Sequence, residues 1–136
     1  MRTTRQATLI VLLLVASLAP ALSSYDVPKN KQLIYAVQIT QRFTMSHPWT
    51  GDLTITVSDS NILSGQYRSN SIRPDPFRGS IVHVTGGVNG DSIRISFGTT
   101  GRITVRGTIS VDEIRGTFYD ANNKTYNFSA LRVTRE

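Results

Sequence analysis

Apolar and polar residues alternate along most of the chain, and a period of two with one apolar face marks half-buried antiparallel strands. The pattern is clearest between 80 and 119. Ile93, Ile95 and Phe97 alternate with Ser92, Arg94 and Ser96. Ile103, Val105, Gly107 and Ile109 alternate with Arg102, Thr104, Arg106 and Thr108, and Ile114, Gly116 and Phe118 with Glu113, Arg115 and Thr117. These runs predict four strands, at 80–88, 91–97, 102–109 and 113–119. Asn89-Gly90 is a two-residue hairpin signal. Taken as the loop, it sets Val88 against Asp91, Gly86 against Ile93, Val84 against Ile95 and Val82 against Phe97. It also turns His83 outward, opposite Ser96.

The flanking segments continue the pattern. Leu33 to Phe43 alternates throughout and predicts a long first strand, preceded by a mobile polar lead-in from Tyr25 to Lys31. Met45-Ser46-His47-Pro48 breaks the pattern at its proline. Leu53, Ile55 and Val57 mark a second strand, with Trp49 just ahead of it. Asp59-Ser60-Asn61 is turn chemistry, and Leu63, Gly65 and Tyr67 mark a third strand. The Ser-, Asn-, Arg- and Pro-rich stretch from Arg68 to Pro76 is the longest irregular connection, of the kind that often carries function. After Asp120–Lys124, a last strand runs from Tyr126 to Val133.

Eight short strands joined by hairpin-sized turns, with no helical segment after residue 24, predict an all-β fold. An antiparallel up-and-down meander of this length closes into a small eight-stranded barrel, which removes its exposed edges. A two-sheet sandwich usually needs Greek-key crossovers, which the order of strands does not suggest. The unit apolar-x-Gly-x-apolar recurs at 63–67, 105–109 and 114–118. Inward glycines let strands bend around a barrel axis, and they are expected to leave room in the lumen. The expected lining is largely aliphatic, with Tyr67, Phe97, Phe118 and Trp49 as its aromatics.

The first 24 residues read differently. Arg2 and Arg5 precede an apolar run from Leu9 to Leu18, and small residues follow at Ala19–Ser23. This is the pattern of a cleaved signal peptide over 1–24, which predicts a secreted or periplasmic protein. The run is too short for a comfortable membrane span, so no span is expected in the mature chain. The mature segment, 25–136, is about 112 residues, one domain's worth. The chain has no cysteine, which excludes disulfides, thiolate metal sites and a lipidated cleavage site.

The sequence carries 15 Lys and Arg against 9 Asp and Glu, a formal charge of +6. Many of the arginines fall on the outward phase of strands, where charge keeps the surface soluble. No aromatics interleave with Arg94, Arg106 and Arg115, so a nucleic-acid partner is not expected. No nucleophile elbow, P-loop or dinucleotide fingerprint occurs. His47 lies in a loop and His83 on the outward phase. The acids Asp52, Asp59, Asp91, Asp112, Glu113 and Asp120 sit near strand ends or in turns. Neither catalytic nor metal-ligating residues are predicted, no cofactor is implied, and the chain reads as a non-enzyme. Asn123-Lys124-Thr125 and Asn127-Phe128-Ser129 match the N-glycosylation pattern.

Small barrels are filled by side chains or hold one small ligand. Trp49 followed by the second strand, and then Leu63-Ser64-Gly65-Gln66-Tyr67-Arg68-Ser69, resembles the early hairpin of the avidin and streptavidin barrels. Val105–Ile109 and Tyr126–Val133 follow in the corresponding order. Lipocalin-like barrels are an equal structural match. The avidin resemblance implies a secreted barrel, often a tetramer of identical chains, with a ligand site at one end. It further implies that Tyr67 and Ser69 hydrogen-bond a ligand and that Trp49 lies near it. The family lines its pocket with several tryptophans where this chain has one, so biotin is not expected to bind with avidin-like strength. Trp49, Tyr67, Ser69, Phe97 and Phe118 are the predicted ligand-binding residues, for a small, mainly hydrophobic ligand. The alternative is a protein partner, an inhibitor or adhesion target, bound by the 68–78 loop and the basic outer face.

Overall fold

In the computed structural model the last strand pairs with the first, so the meander closes into a barrel. The structure describes residues 25–41, 48–72, 74–77 and 80–133. Its strands are β1 (Leu33–Thr40), β2 (Trp49–Val57), β3 (Ile62–Ser69), β4 (Ile81–Asn89), β5 (Ser92–Phe97), β6 (Ile103–Ile109), β7 (Glu113–Tyr119) and β8 (Thr125–Arg132). Each is antiparallel to the next, and β8 closes on β1 with Val37 opposite Ala130 and Ile39 opposite Phe128. Among the described strands each is paired on both sides, so none presents an open edge. The described residues contain no helix.

The period of two decides the inside and the outside. In β1, Leu33, Tyr35, Val37 and Ile39 are buried while Ala36 and Gln38 are exposed. The same phase buries Leu53, Ile55 and Val57, then Leu63 and Tyr67, and later Ile93, Ile95 and Phe97. These side chains fill the barrel from the inside, one continuous core.

Four details differ from the sequence reading. The hairpin loop is Gly90-Asp91, not Asn89-Gly90. Asn89 stays in β4 and pairs with Ser92, so Val88 faces Ile93, Gly86 faces Ile95 and Val84 faces Phe97. Gly90 takes φ 63° and Asp91 does not have positive φ, as in a type II′ turn with glycine first. The register therefore slips by two residues, which leaves every side chain on its expected face. Thr85, not His83, stands opposite Ser96, and His83 remains exposed on the outside.

Strand ends differ too. β2 begins at Trp49, which pairs with Ile39, and β3 runs on to Ser69, which pairs with Gly51. β1 ends at Thr40, and positions 42, 43 and 47 of the expected long strand and its loop lie outside the described residues, as do 1–24.

The lead-in is docked rather than mobile. Val27 is buried in the core, and the Asn30 N–H donates to the Val57 carbonyl at 2.7 Å. It covers the barrel end that carries the turns at 58–61, 90–91 and 110–112.

The inward glycines do not open the lumen. Gly107 and Gly116 face each other across β6 and β7, and a Cβ on Gly107 would lie 2.7 Å from the Gly116 Cα. Neighbouring backbone occupies the space that a side chain would need.

Candidate functional site

The opposite barrel end is where the predicted ligand-binding residues meet. Here β3 hands over to β4 through residues 70–80. Pro74 and Pro76 bracket Asp75, and neither proline can supply an N–H to a strand ladder. The segment turns over the barrel mouth instead and inserts Phe77, which is only 6% exposed.

Phe77 sits among three of the five predicted residues. Its ring centroid is 5.0 Å from Tyr67, 5.4 Å from Phe97 and 6.1 Å from Phe118. Tyr67 and Phe97 meet edge-on at 5.5 Å, and Phe97 and Phe118 at 6.0 Å. Trp49 belongs to the same cluster without touching the Phe77 ring pair. It packs edge-on against Phe118 at 6.3 Å and tilted against Tyr126 at 4.8 Å, and stays half-buried. Such offset and edge-to-face pairs are the arrangements that the ring quadrupole favours.

Ser69, the fifth residue, has a different role. Its Oγ donates to Asp75 Oδ2 at 2.5 Å. Ser71 Oγ donates to the same oxygen at 2.6 Å, and the Phe77 N–H donates to Asp75 Oδ1 at 2.9 Å. Asp75 is 6% exposed, and a buried carboxylate persists only when hydrogen-bonded. These donors meet that need and at the same time fix the loop that carries Phe77. The loop is tied to β2 as well: the Thr50 N–H donates to Ser71 Oγ at 2.9 Å, and Thr50 Oγ1 donates to Asn70 Oδ1 at 2.6 Å.

Tyr67 is fully buried, yet among the described residues its hydroxyl has no hydrogen-bond partner. The hydroxyl lies over Gly51, where a Cβ would collide with it. Burial pushes its pKa up, and the negative charges of Asp75 and Asp52 push it further. The phenol therefore stays protonated and is available as a hydrogen-bond donor. An unsatisfied buried hydroxyl costs about 1–3 kcal/mol, so this atom is a polar group inside the aromatic cluster with an interaction still to make.

Chemically the site offers an aromatic seat, one phenol donor and a carboxylate engaged by its own loop. Among the described residues, no group of three His, Asp or Glu side chains is placed to hold a metal ion. Asp75 and Phe77 are not among the residues that the sequence predicts for the site. Their signals in the sequence are the position of Pro-Asp-Pro-Phe within the longest irregular connection and, for Phe77, a loose copy of the apolar-x-Gly-x-apolar unit at 77–81.

The fold and this end define a closed eight-stranded meander barrel with a loop-borne aromatic stopper. No known protein-family model matches the chain, and no curated protein matches it.

Proposed function

We propose that the chain is an exported binding protein, not an enzyme, that takes a small, mainly hydrophobic ligand into the seat held by Phe77. One observation carries this reading: the ring that completes the aromatic cluster comes from a loop and not from a strand. A loop-borne ring can withdraw without breaking a rung of the barrel. Its replacement would be apolar, because Tyr67, Phe97 and Phe118 surround it, and a few polar groups suffice to orient such a ligand. The Tyr67 hydroxyl supplies one. The avidin-like resemblance of the early hairpin and the equal structural match to lipocalin-like barrels point the same way, and export rests on the pattern of residues 1–24.

The test is a titration of purified protein with biotin and with a panel of apolar fluorophores, read through Trp49 emission. Saturable binding of an apolar probe, strengthened in Phe77→Ala, supports the reading; biotin binds weakly or not at all. If folded wild type and folded Phe77→Ala both give no saturable signal, the seat is core packing only. Mass spectrometry of protein from the medium or periplasm tests export, and an N-terminus at Met1 would refute it.

A second reading has its own observation. Ile72, on the same loop, is 96% exposed. A large aliphatic side chain held out in solvent can anchor in a pocket of a protein partner, an inhibitor target or an adhesion surface. Ile72→Ser leaves Asp75 and Phe77 in place, so loss of partner capture in that variant, with probe binding intact, would favour this reading.

A further inference from the structure

On the outside of the barrel two arginines stand directly against each other. Arg94 of β5 and Arg106 of β6 are cross-strand partners, and both are exposed. Residues in that relation have Cβ atoms about 4.5–5.5 Å apart, and like charges there are destabilising. Among the described residues the ion pairs are Lys29–Asp26 and Arg115–Glu113. Neither Arg94 nor Arg106 takes part, so among the described residues no acid forms an ion pair that would offset their mutual repulsion.

The pair borders a groove of about 620 Å³ at the β4–β5 hairpin, and no acidic residue lines it. On the other flank of Arg94 stands Gly87. A Cβ there would meet only the Asn61 carbonyl oxygen, at 3.5 Å, so the Arg94 guanidinium is uncovered on that side. Asn89 and Ser92 also line the groove and pair with each other one step nearer the hairpin. They are neutral side chains able to donate hydrogen bonds beside two cations.

We propose that this groove binds a tetrahedral oxyanion, phosphate or sulfate, held between the guanidiniums of Arg94 and Arg106. Guanidinium forks match such oxygens two at a time. A bound anion would remove the repulsion that the free protein carries. No aromatic ring lines the groove, so it lacks the stacking platform that single-stranded nucleic acid uses. The site lies at the barrel end opposite Phe77 and stands independently of the lumen reading. The oxyanion comes either as free phosphate or sulfate or as a sulfate ester on an acidic polysaccharide.

The experiment is calorimetric titration of purified protein with sodium sulfate, sodium phosphate and a heparin oligosaccharide, at ionic strength held constant with chloride. The variants are Arg94→Gln, Arg106→Gln and, as a control on the exposed face of β3, Arg68→Gln. Loss of either groove arginine is expected to weaken binding about tenfold or more, since each removes a charge-assisted contact; Arg68→Gln leaves it unchanged. Comparable per-site affinity for sulfate and heparin identifies the free anion as sufficient, and binding of heparin alone identifies the polysaccharide. Binding that falls equally in all three variants, or no binding by any of the three ligands, overturns the proposal.

Discussion

Gly107 and Gly116 stand face to face on β6 and β7, and a Cβ on either would lie 2.7 Å from the Cα of the other. With no side chain on either residue the two strands can approach closely there, which lets them bend around the barrel axis. Gly107→Val and Gly116→Val are each expected to destabilise by about 1–3 kcal/mol or more, through overpacking against backbone that has no room to move. Chemical denaturation measures this. An unchanged midpoint in both variants would show that the strands can separate there at no cost.

Asp75 ties the stopper loop by accepting from Ser69, Ser71 and the Phe77 N–H. Asp75→Ala leaves these donors without their acceptor, and the expected loss is about 1–3 kcal/mol. The loss should be local. Limited proteolysis should gain cleavage within 70–77 while hydrogen exchange in the strands stays slow. An unaltered cleavage pattern would mean that Asp75 is not the latch.

The Tyr67 hydroxyl is buried without a partner among the described residues. Removing it should be neutral or stabilising by about 1 kcal/mol, because an unmade hydrogen bond is removed with it. Tyr67→Ala should instead cost about 3–5 kcal/mol as a large-to-small core change. Thermal melts of the two variants distinguish these outcomes. A Tyr67→Phe protein that melts well below wild type would reveal a partner for the hydroxyl.

Alkaline stability should report the buried tyrosines. Burial, then the neighbouring Tyr25, raises the Tyr35 pKa from 10.0 to about 12, with Arg132 opposing. The Tyr67 pKa is raised as well. A phenol with a higher pKa in the folded state keeps its proton longer there than in the unfolded chain. Its contribution to stability is full below pH 10 and is lost as pH rises from 10 towards 12. Denaturation midpoints across that range should fall in wild type and fall less in the Tyr35→Phe, Tyr67→Phe double variant. Equal slopes would show that neither phenol is linked to folding.

The sequence alone determined which residues face inwards. Alternation is local, so Val82 and Val84 share one face of β4, and Ile95 and Phe97 one face of β5, whatever the partner strands do. Strand number and meander order followed from turn chemistry at Asp59–Asn61, Asn89–Asp91 and Asp120–Lys124. Even the two-residue slip at Gly90-Asp91 cost nothing on this level, because a slip of two preserves the face. Gly90 takes positive φ in either turn, so choosing between Asn-Gly and Gly-Asp as the loop needed the ladder pairing of Asn89 with Ser92.

What closes the barrel mouth was decided only in three dimensions. Phe77 opens a loose copy of the apolar-x-Gly-x-apolar unit, Phe77-Arg78-Gly79-Ser80-Ile81, but that alternation does not say that its ring stops the barrel mouth. It is buried because the barrel brings Tyr67, Phe97 and Phe118, far apart in the chain, around one opening. Asp75 reads as one more turn acid until the end of β3 places Ser69 beside it. Val27 likewise has a buried place only because the far end of the same barrel needs covering. A repeating pattern tells each residue which way to point, but the two ends of a closed barrel lie outside every repeat. Their covers are selected by contacts that exist only once all eight strands have met.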